Sequence, residues 1–71
     1  MRTTIDRVIS VKEYKRGWYI TTIEIDDGGE RIKATHYGNQ KDYWKAGDRV
    51  MVFLDDRFGR AKFLPDTTQN P

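Results

Sequence analysis

The chain has 71 residues, thirteen Lys and Arg against eleven Asp and Glu, a net charge of +2 and no cysteine. That length gives one domain near the lower limit for folding without staples, and the missing cysteines exclude disulfides and thiolate metal sites. A surplus of only two charges excludes bulk electrostatics as the means of drawing the protein onto nucleic acid, so any such affinity must come from local segregation of charge.

The longest apolar run, residues 50 to 54, is far shorter than a bilayer span, and the first six residues have no hydrophobic signal core. A soluble, cytoplasmic protein with no membrane association is expected.

Residues 5 to 12 form the first strand-like segment. Ile5, Ile9 and Val11 alternate toward one face, Val8 interrupts on the other, and strict alternation would turn Arg7 inward; a β-bulge resolves the conflict. The following loop, Glu13-Tyr14-Lys15-Arg16-Gly17, joins an aromatic ring to two cations.

Residues 18 to 25 and 30 to 37 read as a β-hairpin, rich in β-branched and aromatic residues and punctuated by Asp26-Asp-Gly-Gly29. With Asp27-Gly28 at the tip, Ile25 faces Glu30, Ile23 faces Ile32, Thr21 faces Ala34 and Tyr19 faces His36. The reverse face pairs Glu24 with Arg31, Thr22 with Lys33, Ile20 with Thr35 and Trp18 with Tyr37. One face is mostly core, and the other is cationic and aromatic.

Residues 39 to 46 are the only helix candidate, with Asn39 as cap and Gly47 as a left-handed stop. Tyr43 and Trp44 lie about 100° apart on such a helix. Trp44 is therefore expected in the core and Tyr43 at the surface.

Residues 49 to 54 and 60 to 64 make a second hairpin around the loop Asp56-Arg57-Phe58-Gly59, with Leu54 opposite Ala61. Val50, Val52, Leu54, Ala61 and Phe63 share its core face. Met51, Phe53, Lys62 and Leu64 share the reverse face, which is apolar enough to be expected under the helix or at a barrel corner, the alternative being an exposed patch for a partner. From Pro65 to Pro71 the chain turns polar, so the domain is set at residues 1 to 64 with a flexible tail at 65 to 71.

Five short strands and one helix imply a mainly β fold, a small closed or partly open barrel that leaves few free edges. The order β-β-β-α-β-β resembles the oligonucleotide/oligosaccharide-binding (OB) fold across residues 1 to 64, a likeness of element order without a sequence motif. An SH3-like barrel is the alternative; there the helical turn precedes the last strand, where this chain has only the loop at 56 to 59.

On the OB reading, strands two and three and the neighbouring loops form the binding face. Trp18 and Tyr37 would stack bases, Arg31 and Lys33 would hold phosphates, and Lys15, Arg16, Arg57, Phe58 and Lys62 would border them. Single-stranded DNA or RNA is the expected partner. A protein partner explains the balanced charge better, through the same aromatics or the Met51, Phe53 and Leu64 patch, and an oligosaccharide would use the same rings.

Catalysis is not expected. His36 is the only histidine, Ser10 the only serine, and Asp26, Asp27, Asp55 and Asp56 sit where turns favour aspartate. No Gly-rich segment opens a helix with phosphate-binding spacing, so neither cofactor nor metal is expected.

Overall fold

The computed structural model describes residues 1–55 and 60–66. Six strands, β1 Arg2–Thr4, β2 Arg7–Lys15, β3 Trp18–Asp27, β4 Glu30–Gly38, β5 Arg49–Asp55 and β6 Arg60–Pro65, form one sheet in the order β1-β5-β6-β4-β3-β2. All neighbours are antiparallel except β4 and β6, which run parallel. The fold is mainly β. Among the described residues there is no helix, and none therefore that could cross a membrane.

The expected first strand is split. β1 and β2 occupy opposite edges of the sheet yet are joined by Ile5 and Asp6 alone. Five inter-strand gaps in a flat sheet would separate the edges by about 24 Å, whereas three Cα steps from Thr4 to Arg7 span at most about 11 Å. The sheet must therefore curl until its edges nearly meet. It is not closed into a barrel, because β1 and β2 do not pair with each other.

The crossing is pinned by backbone bonds. The Ile5 amide donates to the Asp48 carbonyl at 2.9 Å, the Gly47 amide to the Ile5 carbonyl at 2.8 Å, and the Asp6 amide to the Glu24 carbonyl at 2.9 Å. Ile5 is thereby driven into the concave face, where Ile23, Ile25, Ala34, Trp44, Val50, Val52 and Phe63 complete the buried core.

The helix expected at 39 to 46 is replaced by turns. Asp42 has φ 58° and Gly47 φ 92°, both incompatible with helix. The Asp48 carboxylate accepts from the Lys45 amide at 2.9 Å, and Ile5 holds Gly47. Backbone groups that a helix would have paired internally are thus committed elsewhere. Trp44 is buried and Tyr43 exposed, as expected, because the core still needs a large ring at this position.

In the β3–β4 hairpin the register differs by two residues from the Asp27-Gly28 solution. Asp27 pairs with Glu30, so Ile25 faces Ile32, Ile23 faces Ala34, Thr21 faces His36 and Ile20 faces Tyr37. Gly28 and Gly29 form the turn, at φ 62° and 90°, with the Gly29 amide donating to Asp26 Oδ1 at 2.9 Å. The shift is even, so every side chain keeps its expected face.

The β5–β6 register is as expected, with Val52 opposite Phe63 and Leu54 opposite Ala61. Leu54 is nevertheless exposed rather than in the core, because it lies near the end of β5 beyond the packed residues Val50 and Val52. In β2, irregularities at Ile9 and Tyr14 bend the strand, turning Val8 rather than Ile9 toward the core. β6 reaches Pro65 and Asp66 is buried, so the first two residues of the expected tail belong to the sheet end; residues 67 to 71 lie outside the described residues.

A Cβ on Gly29 or Gly47 would meet nothing within 4 Å, which isolates backbone strain from packing. Gly29→Val and Gly47→Val should each lower stability by about 1–3 kcal/mol, measured by thermal or urea unfolding. Melting curves that match the parent would contradict these turn conformations.

Candidate functional site

The sequence places cations and rings at alternate positions of β3 and β4, and strand pleating delivers them to the convex face, opposite the core. Trp18, Ile20, Thr22 and Glu24 come from β3, and Arg31, Lys33, Thr35 and Tyr37 from β4. Trp18 and Tyr37 are about 40% exposed. They do not pair as expected, because the two-residue shift sets Ile20 opposite Tyr37 and leaves Trp18 beyond the end of β4.

Tyr37 has another partner. Tyr14 is the extra residue of the second irregularity in β2, and its ring stands edge-on to Tyr37 with centroids 5.4 Å apart. Lys15 Nζ lies 5.9 Å from both the Tyr14 and Trp18 centroids. Three rings and a cation thus converge from β2, β3 and β4. Sequence reasoning treated Tyr14 as a loop residue, since a bulge that re-aims one side chain leaves little trace in the alternation pattern.

The face continues across β4 onto β6 and β5. Thr35 pairs with Lys62, and Lys62 pairs with Phe53. Lys62 Nζ lies 5.6 Å from the Tyr37 centroid and 3.1 Å from Asp55 Oδ2. A groove of about 310 Å³ is lined by Thr35, Tyr37, Arg60 and Lys62. Phe53 and Leu64 are exposed on this side, which overturns the expectation that the reverse face of the second hairpin is packed away: among the described residues there is no helix to cover it.

At the other end of the face the charges are committed. Glu24 Oε1 accepts from Arg7 Nε and from Arg31 Nη1, both at 3.0 Å, and Arg31 Nη1 also reaches Asp6 Oδ2 at 3.1 Å. The two guanidinium groups cover Glu24, which is buried although it lies on the convex side. Arg31 therefore bridges two carboxylates, and a phosphate contact would have to compete with them. Lys33 and Arg16 are exposed and have no acidic partner among the described residues. Arg57 and Phe58 lie outside the described residues.

His36 packs on the concave side between Trp44 and Phe63, with centroids 5.3 Å from each, and its Nδ1 meets the Phe63 carbonyl at 3.0 Å. Among the described residues no three acidic or histidine side chains gather to hold a metal ion. Among the described residues the convex face presents rings and cations, an arrangement suited to holding a ligand.

No family model, curated protein or solved structure matches the chain.

The Arg7 hydrogen bond, chiefly, together with the charges of Arg7 and Arg31, holds the Glu24 carboxyl below its ordinary value of 4.5 against the opposing effect of burial. A carboxyl depressed in the folded state binds fewer protons than in the unfolded chain, so its contribution to stability is present above pH 4.5 and lost as pH falls through the depressed value. Glu24→Gln should flatten the acid limb of the stability profile in that window, measured by urea unfolding at stepped pH. An unchanged acid limb would contradict this role.

Proposed function

We propose that the protein is a non-enzymatic cytoplasmic module that binds single-stranded DNA or RNA on its convex face, built on a partly open barrel of the OB kind. The supporting argument for the barrel is topological. Counting β1 and β2 as the halves of one bent strand leaves five strands in a circuit that returns to its start, with the third and fifth parallel. Turns at 39 to 46 replace the helix of the full OB order.

The observation that carries the functional reading is the convergence of exposed Tyr14, Trp18 and Tyr37 beside Lys15 and Lys62. Bases stack on such rings whatever their identity, each worth about 1–3 kcal/mol, while neighbouring ammonium groups neutralise the phosphates. Lys33 and Arg16 add charge without first having to leave an acid, whereas Lys62 would have to leave Asp55. The small net charge is no obstacle on this reading, since Asp6 and Glu24 are absorbed by Arg7 and Arg31 at the opposite end of the face.

A protein partner is the second reading, favoured by the exposure of Phe53 and Leu64 on the same side. Anisotropy of a labelled mixed-sequence oligonucleotide, titrated at two salt concentrations, separates the two. Trp18→Ala should weaken binding by about 1–3 kcal/mol at either salt, and Lys33→Gln should reduce the salt dependence by roughly one phosphate contact. Thermal melts of both variants distinguish a lost platform from a loosened hairpin. Absence of binding at about 50 mM salt, where phosphate contacts are strongest, would refute the nucleic-acid reading and favour the protein partner.

A further inference from the structure

On the concave side, at the ends of β4 and β6, a cavity of about 160 Å³ lies between the sheet and the segment at 39 to 46. Thr21, His36, Gly38, Asn39, Gln40 and Trp44 contribute to its lining. A cavity of roughly 150 Å³ accepts one benzene ring, so this one suits a single six-membered ring and is small for the fused rings of a purine. Aromatic surface and polar groups meet in it.

The Phe63 carbonyl can only accept, so the His36 nitrogen 3.0 Å from it, Nδ1, carries the proton. In the neutral ring Nε2 then keeps a lone pair. A Cβ on Gly38 would stand 3.0 Å from Nε2 and 3.2 Å from Cδ2, and Gly38 is not among the positive-φ glycines. Its missing side chain therefore serves space rather than backbone freedom, leaving the Nε2 edge uncovered. Asn39 and Gln40 add amide donors to the same lining.

An acceptor accompanied by amide donors complements a ring N–H flanked by two carbonyls. We infer that the cavity is a subsite for one uracil or thymine base, whose N3–H donates to His36 Nε2 while its ring carbonyls accept from Asn39 and Gln40. The inference rests on the nucleic-acid reading for its biological ligand: Tyr37 and Gly38 are consecutive, so a strand crossing the convex face at Tyr37 needs to turn only around the end of β4 to reach the cavity.

Free nucleosides test the subsite apart from the sheet face. Uridine at millimolar concentration should shift the His36 Nε2 and Trp44 indole resonances, with adenosine and 3-methyluridine binding at least tenfold more weakly. Gly38→Ala should weaken uridine binding about tenfold. Gln40→Ala, at an exposed position that does not endanger the fold, should weaken it severalfold. Uridine that leaves both resonances unmoved, or that binds no better than 3-methyluridine, would overturn the inference. If uridine enters the cavity while oligonucleotides leave the Trp18 indole resonance unmoved, the sheet-face reading fails alone. If oligonucleotides move Trp18 while uridine leaves the cavity silent, the subsite fails alone.

Discussion

The two-residue crossing at Ile5 and Asp6 is the constraint on which the rest of the molecule depends. It ties opposite edges of a six-stranded sheet together, and the resulting curl creates a concave side small enough for the eight buried apolar residues among those described to fill. A chain this short has one spare segment, residues 39 to 48, and the crossing holds that segment against the concave side through Asp48 and Gly47. Among the described residues none is left to cover the convex side. The exposure of Trp18, Tyr37, Phe53 and Leu64 among the described residues is therefore a consequence of topology.

Charge is distributed to match. Asp6, beside Ile5 in the crossing, helps draw Arg31 toward Glu24 at the end nearest the crossing, while Asp55 pairs with Lys62 on the flank toward β6. The rings gather at the other end, beside Lys15, with Lys62 on the flank toward β6. A net charge of +2 averaged over 71 residues hides this separation. Steering by the whole protein is weak, so any attraction at this face would have to come from the local cations.

Much of this was legible in the sequence, and the parts that were not share a cause. Period-two alternation assigned the core positions of β3 through β6 correctly, since even a two-residue register shift preserves parity, except at Leu54, which was expected in the core but is exposed at the far end of β5. The shift itself arose at the tip, where Asp27-Gly28 and Gly28-Gly29 both satisfy a tight turn; the second lets Ile25 meet Ile32, where the first would have set it against Glu30. The helix at 39 to 46 and the unbroken first strand were misread because distant partners decide them: Ile5 takes Gly47 and Asp48, and Glu24 takes Asp6. Without the helix, the expected cover for Phe53 and Leu64 disappeared. The ring cluster was half visible, because Trp18 and Tyr37 follow the alternation whereas Tyr14 enters through a bulge.

The central claim, that the uncovered convex face is where a nucleic acid is held, is tested most directly by mapping chemical shifts while the full chain is titrated with a mixed-sequence oligonucleotide. The account predicts progressive shifts at Tyr14, Trp18, Lys33 and Tyr37, with Ile23 and Val50 on the concave side unmoved. Shifts confined to the concave side, or none at saturating oligonucleotide, would contradict it.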